Sequence, residues 1–160
     1  MKNSLVSVNA LRRKVVIDAS LIIDLYAAPS EERASIAEEV VTWITRGIVD
    51  AFAPKLLIVE VMGVLSRYLS EEELDLVLDT LPSIRLVPEE TIYEEAVRIA
   101  RKTGSRAADA YYIAVASIIN GVLLTNDRRQ AQNAMKAGIR AYYLIEEMER
   151  ARQDLSHLDT

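Results

Sequence analysis

Cysteine is absent from the 160 residues, and histidine occurs once, as His157. The first absence removes disulfides, thiol nucleophiles and every cysteine-bearing zinc site, and it fits a reducing cytoplasm. The second leaves nothing for a Ser-His-Asp hydrolase or a histidine general base, since His157 stands in a polar C-terminal tail. Neither common glycine-rich phosphate loop occurs. Long apolar runs are missing too: the most hydrophobic stretches are interrupted by Asp18, Asp24 or Glu60, so no membrane span is expected. The opening MKNSLVSVNALRRK lacks the apolar segment of a signal peptide. The expectation is a cytoplasmic protein.

What is present suits one folded domain: 51% of the residues are hydrophobic and 27% charged, an ordinary globular balance at a length that buries a core without staples. The net charge is −5, yet the stretch from Arg98 to Arg140 holds eight basic residues (Arg98, Arg101, Lys102, Arg106, Arg128, Arg129, Lys136, Arg140) against only Asp109 and Asp127. That stretch carries +6 and the remainder −11. Such residues are either solvated helix faces or a surface for a polyanion.

Apolar periodicity and stop signals divide the chain. Val15 to Ile17 reads as a buried strand ending at Asp18. Ser20 or Pro29-Ser30 introduces helical sequence to about Arg46. A brief strand over Asp50 to Ala53 follows, with Pro54 in the first turn of a helix to about Tyr68. Ser70 to Glu73 is a capping box. Ile84 to Val87 is a third strand, Glu89 to Lys102 an amphipathic helix stopped by Gly104, and Ala107 to Ile119 a buried helix. Asn120-Gly121 turns into a strand over Val122 to Thr125. A helix from Asp127 to Ala137 and a fifth strand, Ile139 to Leu144, precede a charged helix expected to fray. Alternating strands and helices predict a parallel sheet of about five strands with helices on both faces.

Four acids stand where acids are costly. Asp18 in VVIDASLII ends a strand, at the edge where open α/β sheets bind ligands; it also suits a helix N-cap. Glu60 is the only polar side chain in LLIVEVMGVL, and no basic residue stands three or four positions away to pair with it. Asp109 opens DAYYIAVASII, where an acid also favours the helix dipole. Asp127 in LLTNDRRQ follows a strand and could cap a helix. A cluster of carboxylates offers the hard oxygen ligands that Mg²⁺ or Mn²⁺ prefers, and such an ion relieves their repulsion. A site of this kind can activate water for phosphodiester hydrolysis. An aspartyl-phosphate phosphatase or receiver-type domain built on Asp18 is a weaker alternative, because VIDAS lacks an aspartate two residues on and Glu60 stays unexplained.

In order and spacing, VVIDASLII, LLIVEVMGVL, SRAADAYYIAVA and LLTNDRR resemble the PIN-domain family over roughly residues 14–144. The resemblance implies a Rossmann-like three-layer α/β/α fold and a Mg²⁺- or Mn²⁺-dependent endoribonuclease cutting single-stranded RNA. Asp18, Glu60, Asp109 and Asp127 would then be the catalytic and metal-site acids, with Ser20, Thr125 and Asn126 as supporting polar groups. Many small members of the family are homodimeric toxins of toxin–antitoxin pairs, bound by an antitoxin protein; others process RNA, and an idle fold serving as a binding module is a further alternative. On this reading residues 1–13 are an N-terminal extension, 14–145 the PIN-like domain and 146–160 a charged helix or tail.

Overall fold

A computed structural model describes residues 13–156; His157 and residues 1–12 of the N-terminal extension lie outside them. Val15, Val16 and Ile17 form the end of strand β1 (Arg13–Ile17), and all three are fully buried. An unbroken apolar run is what a strand covered on both faces requires. Strands β2 (Val49–Pro54), β3 (Arg85–Val87), β4 (Val122–Thr125) and β5 (Ala141–Tyr143) join it in a parallel sheet ordered β3-β2-β1-β4-β5. The chain winds outward through β2 and β3, then crosses back to β4 on the other side of β1. Ligands of such sheets bind at the carboxyl ends of the strands flanking that reversal, here β1 and β4.

The helices are α1 (Ala19–Ala27), α2 (Glu31–Thr45), α3 (Leu56–Leu65), α4 (Glu71–Thr80), α5 (Tyr93–Thr103), α6 (Ala107–Ile119), α7 (Arg128–Lys136) and α8 (Leu144–Ser156). Helix α1 touches α2 and α3, and α2 touches α8, whereas α5, α6 and α7 touch one another. The two groups flank the sheet, giving the expected three-layer α/β arrangement. Among the described residues, no helix is long and apolar enough to cross a membrane. Helix α6 is the central packing element: Ile113, Ala114 and Val115 have no exposure, and it lies on β1, β2 and β4. Its end is set by Asn120 in the left-handed region at φ 53°, followed by Gly121, where a Cβ would meet Lys14 O at 2.8 Å. The α4 capping box forms as expected, with Ser70 accepting from Glu73 N and Glu73 from Ser70 N.

Local physics revises several boundaries. The sequence between Ser20 and Arg46 is two helices, because Pro29 disfavours helical geometry at Ala28 (ψ 137°) and Ser30 then caps α2. Pro54 ends β2 instead of opening a helix; it aligns with Val87, and Lys55 N donates to Val87 O (3.0 Å). Helix α3 starts at Leu56, whose N–H donates to Glu89 Oε1 (2.6 Å), so its cap comes from 33 residues downstream. The last strand stops at Tyr143. The final helix does not fray: Met148, Ala151 and Leu155 are buried, and Arg152 grips Glu39 of α2 with two bonds (2.6 and 2.8 Å).

Candidate active site

Asp18 follows β1 and caps α1, accepting from Ser20 N at 3.3 Å. The N-cap reading therefore holds locally, but a cap need not be buried, and Asp18 is only 7% exposed. Its Oδ2 also receives Ser20 Oγ (2.6 Å) and Thr125 Oγ1 (2.9 Å). Each hydroxyl is oriented from behind: Asn126 N donates to Ser20 Oγ (3.0 Å) and Asp127 N to Thr125 Oγ1 (2.9 Å). With one lone pair taken by a backbone N–H, each hydroxyl gives its one proton to Asp18. Among the described residues every donor to this carboxylate goes to Oδ2, which leaves Oδ1 for an external ligand. Burial raises the Asp18 carboxyl above its usual range despite these bonds, and the charge of Asp127 adds to the rise.

Asp127 likewise caps its helix, accepting from Arg129 N (2.9 Å) and Gln130 N (3.4 Å). It remains close enough for its charge to act on Asp18. Asp109 sits in the first turn of α6, 8% exposed, paired with Arg106 (Nε to Oδ2, 3.1 Å). Gln130 Nε2 donates to the Asp109 carbonyl (3.3 Å), tying α6 to α7 beside the acids.

Glu60 projects from α3, between buried Leu57 and Val61 and exposed Val59. Desolvation, then the charges of Asp18 and Asp109, push its carboxyl up to about 7, with Arg106 opposing. Its Oε1 and the Tyr112 hydroxyl, one turn beyond Asp109 on α6, are both buried with no partner at ordinary hydrogen-bond distance, although the hydroxyl is near enough to Glu60 to lower its carboxyl slightly. Burial and the neighbouring charges of Asp18 and Glu60 raise that hydroxyl far above its usual range. Arg106 feels Asp109, Asp127 and Glu60 together, which makes it a counter-cation for three of the four acids.

The fold thus brings Asp18 within reach of the charge of Asp127, and Glu60 within reach of the charges of Asp18 and Asp109, with Ser20 and Thr125 supporting Asp18. Asn126 is placed differently from the expectation in one respect: its backbone N–H serves Ser20, while its side chain turns to Asp24. Among the described residues no three acids close into a ready-made metal cage. An ion such as Mg²⁺ keeps several waters and takes one or two carboxylates directly. The free Asp18 Oδ1 and the orphaned Glu60 Oε1 are the hard oxygens such an ion needs.

Sequence reasoning passed over Arg106, Tyr112, Gln130 and Asp24. Asp24 carried the same signature as Glu60, an acid in apolar sequence, and Arg106 stood three residues before Asp109. Nothing in an apolar helix distinguishes Tyr112 from a core tyrosine. The basic stretch is partly committed. Arg98 binds Glu95, Arg106 binds Asp109, Arg140 faces Asp154, and Arg128 binds Glu146 while lying over the Tyr143 ring. Arg101, Lys102, Arg129 and Lys136 make no ion pair among the described residues.

The model of the PIN domain family matches residues 15–136. The chain belongs to the PIN-domain family. Members are in general nucleases, so a hydrolase role follows for this PIN domain at that coarse level. No curated protein matches it. Among solved structures, a toxin–antitoxin complex from Klebsiella pneumoniae is similar at TM-score 0.55 and 19% identity, covering 73% of this chain and 89% of that one. FitAB bound to the IR36 DNA fragment gives 0.59 and 14%, covering 80% and 93%. PAE2754 from Pyrobaculum aerophilum gives 0.56 and 19%, covering 91% and 98%. At these identities the likeness is one of fold.

Proposed function

We propose that this PIN domain is a Mg²⁺- or Mn²⁺-dependent endoribonuclease that cuts single-stranded RNA, working as the toxin of a toxin–antitoxin pair. The observation that carries the reading is Glu60: a carboxyl pushed up to about 7 by burial and two neighbouring acids, with one oxygen left unpartnered, at the sheet's reversal. In this reading Asp18, Glu60, Asp109 and Asp127 hold the ion. A bound divalent ion supplies Lewis acidity and a water that is nucleophilic at neutral pH.

The chain's own groups do the rest. Ser20 and Thr125 fix Asp18 through Oδ2, so that Oδ1 would be the oxygen left to hold an ion. Arg106 neutralises part of the acids' charge and presents exposed donors to a phosphate. Arg101 and Lys102, just ahead of the loop to α6, and Arg129, beside Asp127, track the polyanion's backbone. The toxin assignment draws its support from the Klebsiella pneumoniae neighbour, which is a toxin–antitoxin complex; an antitoxin protein is the partner it implies. A homodimer is supported by large apolar side chains left in solvent, Val59 at 73% and Tyr68 at 70% exposed.

The test is incubation of the pure protein with single-stranded RNA and, separately, single-stranded DNA, with Mg²⁺, Mn²⁺ or EDTA. Internal cuts in RNA alone, present only with metal, are expected. No cleavage of RNA, or cleavage that persists in excess EDTA, overturns the reading.

A further inference from the structure

Asp24 is a fifth buried acid, 2% exposed, one helical turn and a half past Asp18 on α1. One of its oxygens, Oδ2, takes both of its bonds: Arg33 Nε of α2 at 2.7 Å and Asn126 Nδ2 at 2.7 Å. An ion pair alone would account for a buried aspartate. It would not account for Asn126, itself only 3% exposed and placed between β4 and α7, whose backbone and side-chain nitrogens donate to two different residues. The side-chain amide holds Asp24, and the backbone N–H holds Ser20 Oγ at 3.0 Å. Ser20 Oγ in turn donates to Asp18 Oδ2 at 2.6 Å.

The bonds therefore form a continuous path, Arg33 to Asp24 to Asn126 to Ser20 to Asp18, that ties two helices and one strand end to a single carboxylate. Each member fits only one way. Asp24 accepts but cannot donate, so Asn126 must present Nδ2 and not an oxygen; an aspartate at 126 would set acceptor against acceptor. With the Asn126 side chain pinned, its backbone N–H is aimed at Ser20, and the Ser20 proton is left to Asp18. Arg33 cancels the charge of Asp24, so that this acid orients the site without adding to its repulsion.

We infer that Asp24 is a positioning residue, which sets the orientation of Asp18 through Asn126 and Ser20 and thereby the affinity of the acid cluster for a divalent ion. The inference rests on the proposed role of Asp18 as an ion ligand. Groups behind a ligand typically contribute tenfold to a hundredfold in metal affinity, and a step further back about tenfold is expected.

The experiment is Mn²⁺ titration of the full chain followed by the electron paramagnetic resonance of the free ion, with circular dichroism to show folding. Wild type should bind Mn²⁺, and Asp18→Asn should lose binding. Asp24→Ala and Asn126→Ala should each weaken it by about tenfold, while Arg33→Ala, which leaves the Asp24–Asn126 bond in place, should lower the melting temperature and change affinity by less than about threefold. If Asp24→Ala fails to fold, Asn126→Ala decides, because it removes only the link. Wild-type affinity in folded Asp24→Ala and Asn126→Ala, with binding lost in Asp18→Asn, overturns the inference alone. Binding that is absent in wild type, or survives in Asp18→Asn, sinks the metal reading of Asp18 and the inference with it.

Discussion

Ser20 and Asn126 are 106 positions apart in sequence, yet the backbone N–H of Asn126 donates to the Ser20 hydroxyl at 3.0 Å. That contact spans the reversal of the sheet, joining the first turn of α1 to the loop after β4. With the bond from Thr125 Oγ1 to Asp18 Oδ2 (2.9 Å), it holds the end of β1 in register with the end of β4.

Asp18→Asn and Asp109→Asn should each lower metal-dependent RNA cleavage by at least about a hundredfold, the scale seen when one transition-state contact is removed. The fold should survive, since each substitution keeps shape and relieves buried charge. Gel assays of RNA cleavage alongside circular dichroism measure both. Near wild-type cleavage by either folded variant removes that residue from the site.

Glu60 couples stability to pH. Its carboxyl titrates at about 7 when folded against 4.5 as an ordinary glutamate. Between those values the metal-free folded protein holds more protons than the unfolded chain, so its stability falls as pH rises from 4.5 to 7. The shift sets an upper bound of about 3 kcal/mol. Glu60→Gln should flatten this slope and leave the metal-free protein more stable than wild type above neutrality. Metal at a hundredfold excess over its dissociation constant stabilises a folded state by about 2.7 kcal/mol, and that gain should shrink in the variant. Thermal melts across pH, with and without Mn²⁺, check this. A destabilised metal-free variant with an undiminished metal response would remove Glu60 from the ion site.

Tyr112 buries its hydroxyl beside Glu60 with no partner at ordinary hydrogen-bond distance. Replacing it with Phe keeps the ring and deletes the unmet group, so the metal-free protein should gain about 1 kcal/mol. Chemical denaturation measures the change. A loss of that size instead would mean that the hydroxyl is bonded in solution.

Affinity for single-stranded RNA should fall steeply with salt, with the slope reduced by about 0.7 for each phosphate contact deleted. Alanine at Arg101, Lys102 and Arg129 should each reduce it. Arg128, held by Glu146 and the Tyr143 ring, should matter less. Fluorescence anisotropy on a catalytically inactive background tests this, and an unchanged slope in the triple variant would mark the three as solvated surface.

Local sequence by itself determined the elements. Apolar runs of two kinds, caps at Ser30 and Ser70, and stops at Gly104 and Asn120 act over a few residues, so their energies are legible without the fold. The four acids were visible for a related reason: a charge in apolar sequence is costly wherever the chain goes, and its presence needs a cause. Tertiary structure decided which groups meet. Whether Pro54 ends a strand depends on Val87 across the sheet, and whether the last helix frays depends on Glu39 being there for Arg152. Asp24 looked no different from the other acids until Asn126 was seen to be its partner, and Tyr112 looked like core. Hydrogen bonds need contact at about 3 Å and screened charges act over roughly 10 Å, so both depend on distances between residues far apart in the chain, and only the closed sheet sets those distances.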